Sequence, residues 1–272
     1  MVLFVHSSFI YNFSEQVEYS ENIKFLQELT LKSFQNQSFN QHIAIVFSIT
    51  SLKELENKQI KSQIQEQYRT ILKMLQSQES FKSNSIQFFL SIQFNVPVIE
   101  FKDSHISTLI SLKQCCDFSI IYSYSNTMLT QLISKSCSHM IANVGSQEIV
   151  KRFDFIHHFN SGINHVLTNE MSEKDLILGV DIQLFNTTSS PITQSRYFSS
   201  CIQNSKLATK SNIPHLLFTI IRNREDVRNV DELVCIQKAL FKAQPIQIQF
   251  QKSYLDKHFS KLFRIKKGEY IE

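Results

Sequence analysis

Tryptophan is absent from this chain and glycine nearly so, with 4 Gly and 4 Pro spread over 272 residues. Gly145, Gly162, Gly179 and Gly268 stand singly. Neither GxGxxG nor GxxxxGK[ST] occurs, so no glycine-rich turn can bring backbone N–H groups against a pyrophosphate. Nucleotide-dependent chemistry of those kinds is not expected. Cysteine is sparse too. Cys115 and Cys116 adjoin, Cys137, Cys201 and Cys235 lie far apart, and no CxxC pair offers zinc or redox chemistry. An odd number without framework spacing points to reduced, buried thiols in a reducing compartment. No run of about eighteen uncharged apolar residues exists, which excludes a membrane-spanning helix. The opening Met1-Val2-Leu3-Phe4-Val5-His6 lacks the basic region and long apolar segment of a signal peptide. Charged residues are only 19% of the chain, yet 42% are hydrophobic, too many for a disordered protein. A soluble, intracellular, globular protein is expected, long enough to bury a core without disulfides or metal.

What the chain does have is 23 Phe, 35 Ser and 24 Gln, and short apolar runs that alternate with longer amphipathic ones. Leu3-Phe4-Val5 reads as a strand, and residues 21–34 follow at helical spacing. The run His42 to Ile49 is too continuous for a half-exposed strand and predicts burial on both faces. Ser51, with Glu54 three residues later, predicts a capping box opening a helix over about 52–77. Its inward residues are Ile60, Ile64, Ile71, Leu72 and Leu75. Further strands are predicted at 86–94, 96–101, 117–122, 139–144, 176–185 and 215–221. Helices are predicted at 104–113, 125–136, 163–171, 195–209 and 230–242, with one or two more in the last ~30 residues. Strands alternating with helices argue for βα units around a parallel sheet. About eight strands within ~220 residues favour an α/β, TIM-like (β/α) barrel, closed or nearly closed, over an open doubly wound sheet. No linker divides the chain, so a single barrel domain over 1–272 is expected, with a basic helical tail at about 250–272.

Charge is uneven. Residues 1–195 carry 14 Lys and Arg against 17 Asp and Glu, whereas residues 196–272 carry 14 against 7. The basic third holds Arg196, Lys206, Lys210, Arg222, Arg224 and Arg228, then Lys252, Lys257, Lys261, Arg264, Lys266 and Lys267. Such a cluster suits phosphates through charge attraction and counterion release. A solvated helix face with a basic tail is the plainer alternative. The segment from Arg222 to Leu233 is the most specific local feature. In a parallel barrel it would lie on the carboxyl-terminal rim, where three arginines suit bidentate phosphate contact. Pairing with its four interleaved carboxylates is the other reading. Glu225-Asp226 and Asp231-Glu232 themselves suit a helix N-terminus and its dipole.

Nine histidines raise the question of a metal. His157 and His158, near Asp154 and His165, would point to opposite faces of a strand and so cannot readily share an ion. His6, His42, His105, His139 and His215 fall at or beside predicted strand ends, where one rim of a barrel gathers side chains. The first strand offers His6-Ser7-Ser8 rather than an HxH pair, so hydrogen-bonded histidines, not a metal centre, are expected. No GxSxG occurs, and Cys201 sits among apolar residues at helical spacing, as a core residue would. No catalytic residue, metal or cofactor is assigned.

Over roughly residues 86–242 the order of segments resembles the TIM-barrel protein subunit of eukaryotic and archaeal ribonuclease P and MRP, the thirty-kilodalton subunit family, related in fold to PHP phosphoesterases. The resemblance is carried by Asp117-Phe118-Ser119-Ile120-Ile121 followed by a helix over 126–135. Ser138-His139-Met140-Ile141 and Glu148-Ile149-Val150-Lys151-Arg152 come next, then Gly179-Val180-Asp181-Ile182-Gln183-Leu184. Ser195-Arg196-Tyr197-Phe198 opens a helix that runs into Thr209-Lys210-Ser211-Asn212-Ile213, ahead of the late strand and its basic loop. The sequence departs from the family at Thr219-Ile220-Ile221, where paired serines are usual, and lacks the family's Gly near Ser211 and the Asp-Leu opening of its first strand. The resemblance implies a non-catalytic subunit of a ribonucleoprotein whose RNA removes tRNA 5′ leaders. It further implies contacts to structured RNA and to other protein subunits, including a small RNA-binding-fold subunit, a nuclear or nucleolar location, and a part in rRNA processing. Arg196, Lys206, Lys210, Arg222, Arg224 and Arg228 would face phosphates. A metal-dependent PHP-type phosphoesterase and a protein-only scaffold are the alternatives.

Overall fold

A computed structural model of the chain describes residues 2–6, 21–26, 28, 42–78, 86–96, 101–143, 162–187, 191–226, 235–236 and 238–239. Eight strands form one all-parallel sheet: β1 (Val2–His6), β2 (His42–Ile49), β3 (Gln87–Phe94), β4 (Phe118–Ser123), β5 (Met140–Asn143), β6 (Ile177–Asp181), β7 (His215–Phe218) and β8 (Ile220–Ile221). The spatial order runs from β7 through β6, β5, β4, β3 and β2 to β1 and finally β8. The two outermost strands, β7 and β8, are therefore consecutive in the chain, separated by Thr219 alone. One extended stretch bonds to β6 through His215–Phe218 and to β1 through Ile220 and Ile221. The sheet thus returns on itself as a TIM-like barrel.

Period-two alternation sorts each strand between two cores. On β2, Ala44 and Val46 join Phe4, Phe89, Phe118, Ile120, Tyr122, Met140, Ala142, Ile177, Phe218 and Ile220 inside the barrel. Ile43, Ile45, Phe47 and Ile49 face outward with Leu90, Ile92, Phe94, Ile121, Ile141 and Leu178. The helices cover that outer face: α1 (Leu52–Glu56), α2 (Ile60–Ser77), α3 (Asp103–Cys115), α4 (Asn126–Lys135), α5 (His165–Glu173), α6 (Gln183–Thr187) and α7 (Pro191–Lys210). Inside, the aromatic rings of Phe4, Phe118 and Phe218 interlock, with Phe4 centred 5.6 Å from Phe118 and 6.0 Å from Phe218. Such tilted contacts add to the burial of large apolar area.

The helix starts follow from their caps. Ser51 Oγ accepts from Glu54 N at 3.2 Å, and Glu54 reaches back to Thr50 N at 2.8 Å, one residue earlier than in a strict capping box. Ser125 Oγ accepts from Met128 N, and Asn164 Oδ1 accepts from Val166 N and Leu167 N. Ile60, Ile64, Ile71 and Leu75 are buried as their spacing predicts, and Leu72 is half-buried. Cys201 is fully buried and Cys137 nearly so, but Cys115 and Cys116 are half-buried and Cys235 is exposed, so buried thiols describe only part of the set.

Three elements differ from expectation for local polar reasons. The helix over 52–77 is two helices, because Asn57 Oδ1 takes Gln59 N–H at 2.9 Å and offers the backbone a turn instead. The strand over 96–101 is not formed at its described ends, Val96 and Phe101. Pro97 cannot donate to a ladder, and the Gln131 side chain binds both the N–H and the C=O of Phe101, at 3.0 and 3.2 Å. The strand over 176–185 stops at Asp181, whose Oδ1 takes Gln183 N–H at 3.0 Å and turns the chain into α6. The helix over 230–242 is described only at 235–236 and 238–239, which are helical. The tail at 250–272 lies outside the described residues.

Gly179 shows how tightly the barrel interior is filled. A Cβ there would lie 2.8 Å from Met140 Sδ and 2.9 Å from the Phe218 ring. Gly179→Val is expected to destabilise the fold by about 1–3 kcal/mol through overpacking. A urea midpoint shifted downward with an unchanged slope would show it.

Candidate functional site at the carboxyl-terminal mouth

Because every strand is parallel, all carboxyl ends open on one mouth, and in such barrels that mouth carries function. Here it is built around a buried carboxylate. Tyr122, near the end of β4, donates its hydroxyl to Asp181 Oδ2 at 2.6 Å, and Gln183 N donates to Asp181 Oδ1. Tyr197 on α7 donates to the Asp181 carbonyl at 3.1 Å. Beside it, Gln183 is buried and clamped at both ends. Its Nε2 donates to the Ile220 carbonyl at 2.9 Å, and its Oε1 accepts from Arg222 Nη1 at 2.8 Å. The Arg222 turn is closed by Asp226, whose Oδ2 accepts from Arg222 N and Asn223 N at 2.8 and 3.0 Å. On the β2–β3 side, Ser48 Oγ donates to Gln93 Oε1 at 3.0 Å, and Tyr124 donates to Asn95 Oδ1.

Burial sets the protonation of this cluster. It raises the Asp181 pKa despite the Tyr122 and Gln183 donors and the nearby Arg222 charge, with Asp226 adding repulsion. Burial and the Asp181 charge push Tyr122 well above the usual phenol range and Tyr124 to about 12. Tyr122 therefore acts as a donor held onto Asp181.

The sequence-predicted phosphate contacts do not form one patch. Arg196 lies in the second turn of α7, near the mouth from which that helix departs. Lys206 and Lys210 are exposed further along it, and Lys210 lies just before β7 begins, at the opposite end of the barrel. A helix of 20 residues spans about 30 Å. Arg222 is exposed at the carboxyl mouth, and Arg224 opens a 3-10 turn over Arg224–Asp226. Arg228 lies outside the described residues. The guanidinium of Arg222 meets the Gln183 amide, and Asp226 Oδ2 accepts from the backbone N–H groups of Arg222 and Asn223.

The histidines divide as well. His6 closes β1 at the carboxyl end, whereas His42 and His215 open their strands at the amino end, and His139 immediately precedes β5 there. His105 lies in α3 and bonds Glu56 at 3.1 Å, holding that carboxyl below the usual range. His139 Nδ1 accepts from Ser119 N at 3.0 Å, and its ring stacks on Phe118. Complete burial lowers the His215 pKa to about 4. His165 is exposed in the first turn of α5. His157, His158 and Asp154 lie outside the described residues. No group of three potential ligands gathers among the described residues.

The Tyr122–Asp181–Gln183 network was not predicted as a site. Its signal was nonetheless present, as a tyrosine one residue from the end of β4 and an aspartate ending the otherwise apolar β6 on the functional rim.

No family model and no curated protein matches the sequence. A chain of archaeal ribonuclease P, solved by cryo-electron microscopy with mature tRNA, superposes with a TM-score of 0.60 at 13% identity, over 97% of this chain and 93% of its own. The two share a fold. An uncharacterized protein and the ochratoxinase of A. niger reach TM-scores of only 0.38, at 5% and 8% identity, over 56% and 58% of this chain and 39% and 36% of theirs.

Tyr122→Phe is expected to cost about 1–3 kcal/mol at pH 7 by leaving the buried carboxylate short of a donor. Because the folded pKa of Asp181 is raised, its favourable share of stability is present below the unfolded value and is lost as pH rises through the folded value. The substitution pushes that pKa higher still. The stability difference from wild type, from urea unfolding, should therefore be larger at pH 7 than at pH 4.

Proposed function

We propose that this chain is a non-catalytic protein subunit of a ribonuclease P/MRP-type ribonucleoprotein. In it the chain would scaffold RNA for tRNA 5′-leader removal and take part in rRNA processing, in the nucleus or nucleolus. The observation that carries this reading is the nearly end-to-end superposition on a chain of archaeal ribonuclease P. A match covering 97% of one chain and 93% of the other leaves little of either barrel without a counterpart. The order of motifs over 86–242 supports the same family independently.

The surface chemistry is consistent with such a role. An excess of positive charge in residues 196–272 favours a polyanion without specifying its sequence. Exposed Lys206 and Lys210 on one side, and Arg222 at the mouth, suit backbone contacts spread over a large RNA rather than a single pocket. The expected partners are structured RNA and neighbouring protein subunits, among them a small RNA-binding-fold subunit. A phosphoesterase would need its imidazoles converging at one mouth, and His42, His139 and His215 stand at the end opposite His6.

Tagged protein isolated from its own cells should carry a structured RNA, identifiable by sequencing, together with protein subunits. Purified protein should bind that RNA with an affinity that falls about two orders of magnitude between 50 and 200 mM salt, the response of about four phosphate contacts. Recovery of protein partners without RNA would favour a protein-only scaffold instead.

A further inference from the structure

Arg222 is held by a buried amide. The residue is exposed just beyond β8, yet its Nη1 is fixed on Gln183 Oε1. Gln183 is in turn immobilised by its own N–H on Asp181 and its Nε2 on the Ile220 carbonyl. Asp181 is anchored by Tyr122 from β4, and its carbonyl by Tyr197 from α7. An exposed cation is thereby referenced to the barrel wall through buried groups on β4, β6, β8 and α7.

The partner's chemistry matters as much as its rigidity. A glutamine amide orients a guanidinium without cancelling its charge. Two nearby carboxylates, Asp181 and Asp226, accept hydrogen bonds from other donors. Asp181 accepts from Tyr122 and Gln183 N, and Asp226 Oδ2 accepts from Arg222 N and Asn223 N. The bond to Gln183 uses one of a guanidinium's five N–H donors, and the planar fork suits bidentate contact with a phosphate. Pre-orienting it before binding lowers the ordering cost of that contact.

We propose that Arg222 is a fixed docking point for an RNA backbone phosphate at the carboxyl mouth, and that Gln183 is its positioning residue. This rests on the RNA-subunit reading above and adds to it which cation is pre-aimed, and by what. Lys206 and Lys210, exposed on α7, would supply charge without such fixed aim.

The test measures binding of a transcribed archaeal ribonuclease P RNA to the full chain at several salt concentrations, with the fold checked by circular dichroism and thermal melting. Arg222→Ala should weaken binding about tenfold and lower the salt slope by about one. Gln183→Met, of similar volume, should weaken it about threefold with the slope unchanged, since the charge remains. The double variant should be no weaker than Arg222→Ala alone. Losses that multiply, or a folded Gln183→Met that binds like wild type, would overturn the positioning role. If Gln183→Met does not fold, Arg222→Lys decides, because it keeps the charge but not the fork. About threefold weaker binding with an unchanged slope supports the proposal, and wild-type affinity overturns it. Wild-type protein that fails to bind RNA at 50 mM salt removes the RNA reading itself, whereas normal binding with Arg222→Ala unaffected removes only this docking point.

Discussion

The architecture depends on a single stretch of backbone serving two edges. Residues 215–221 hydrogen-bond to β6 through their first half and to β1 through their second, changing partner at Thr219. A parallel sheet left open would expose two rows of unpaired N–H and C=O groups, and closure satisfies both at once. Counting β7 and β8 as one, the described residues form seven staves. Fewer staves mean a narrower interior, consistent with a glycine at 179 where a side chain would strike Met140 and Phe218. The break at Thr219 and the tight lumen are thus two consequences of one constraint.

That constraint also places the polar network. Closure puts Ile220 beside β1 while keeping Phe218 paired with Asp181, so the end of β6 lies within reach of the β8 backbone. Gln183 spans that gap, bonding the Ile220 carbonyl with one end and Arg222 with the other. Asp181 ends β6 and starts the turn that brings Gln183 there. Its charge is costly to bury, and the Tyr122 hydroxyl offsets part of that cost. The arrangement is one in which a buried acid has been given fixed hydrogen-bond partners within the chain.

Much of this was legible in the sequence because parallel strands buried on both faces have a strong signature. The run His42 to Ile49, the strand over 117–122 and the helix starts at Ser51 and Ser125 follow from apolar continuity and capping chemistry. The errors share one cause. The strand expected over 96–101 is not formed at its described ends, that over 176–185 stops at Asp181, and the helix over 52–77 breaks, because Gln131, Asp181 and Asn57 divert backbone groups with their side chains. Hydropathy cannot see such diversions, since each depends on which amide or carboxylate lies within reach after folding. The same blindness hid the candidate site. Asp181 and Tyr122 are 59 residues apart in sequence, and only the barrel's circular order brings them together.

Charge composition counts cations without placing them. Of those in the excess after residue 195, Lys206 and Lys210 are carried away from Arg222 by α7, which runs the length of the barrel. A helix returning from one mouth to the other necessarily distributes its charges along the barrel's height. A compact ligand could engage only part of such a distribution, whereas an extended polyanion can follow it. What singles out Arg222 as a docking point is not its charge but the hydrogen bond by which a buried amide orients its fork.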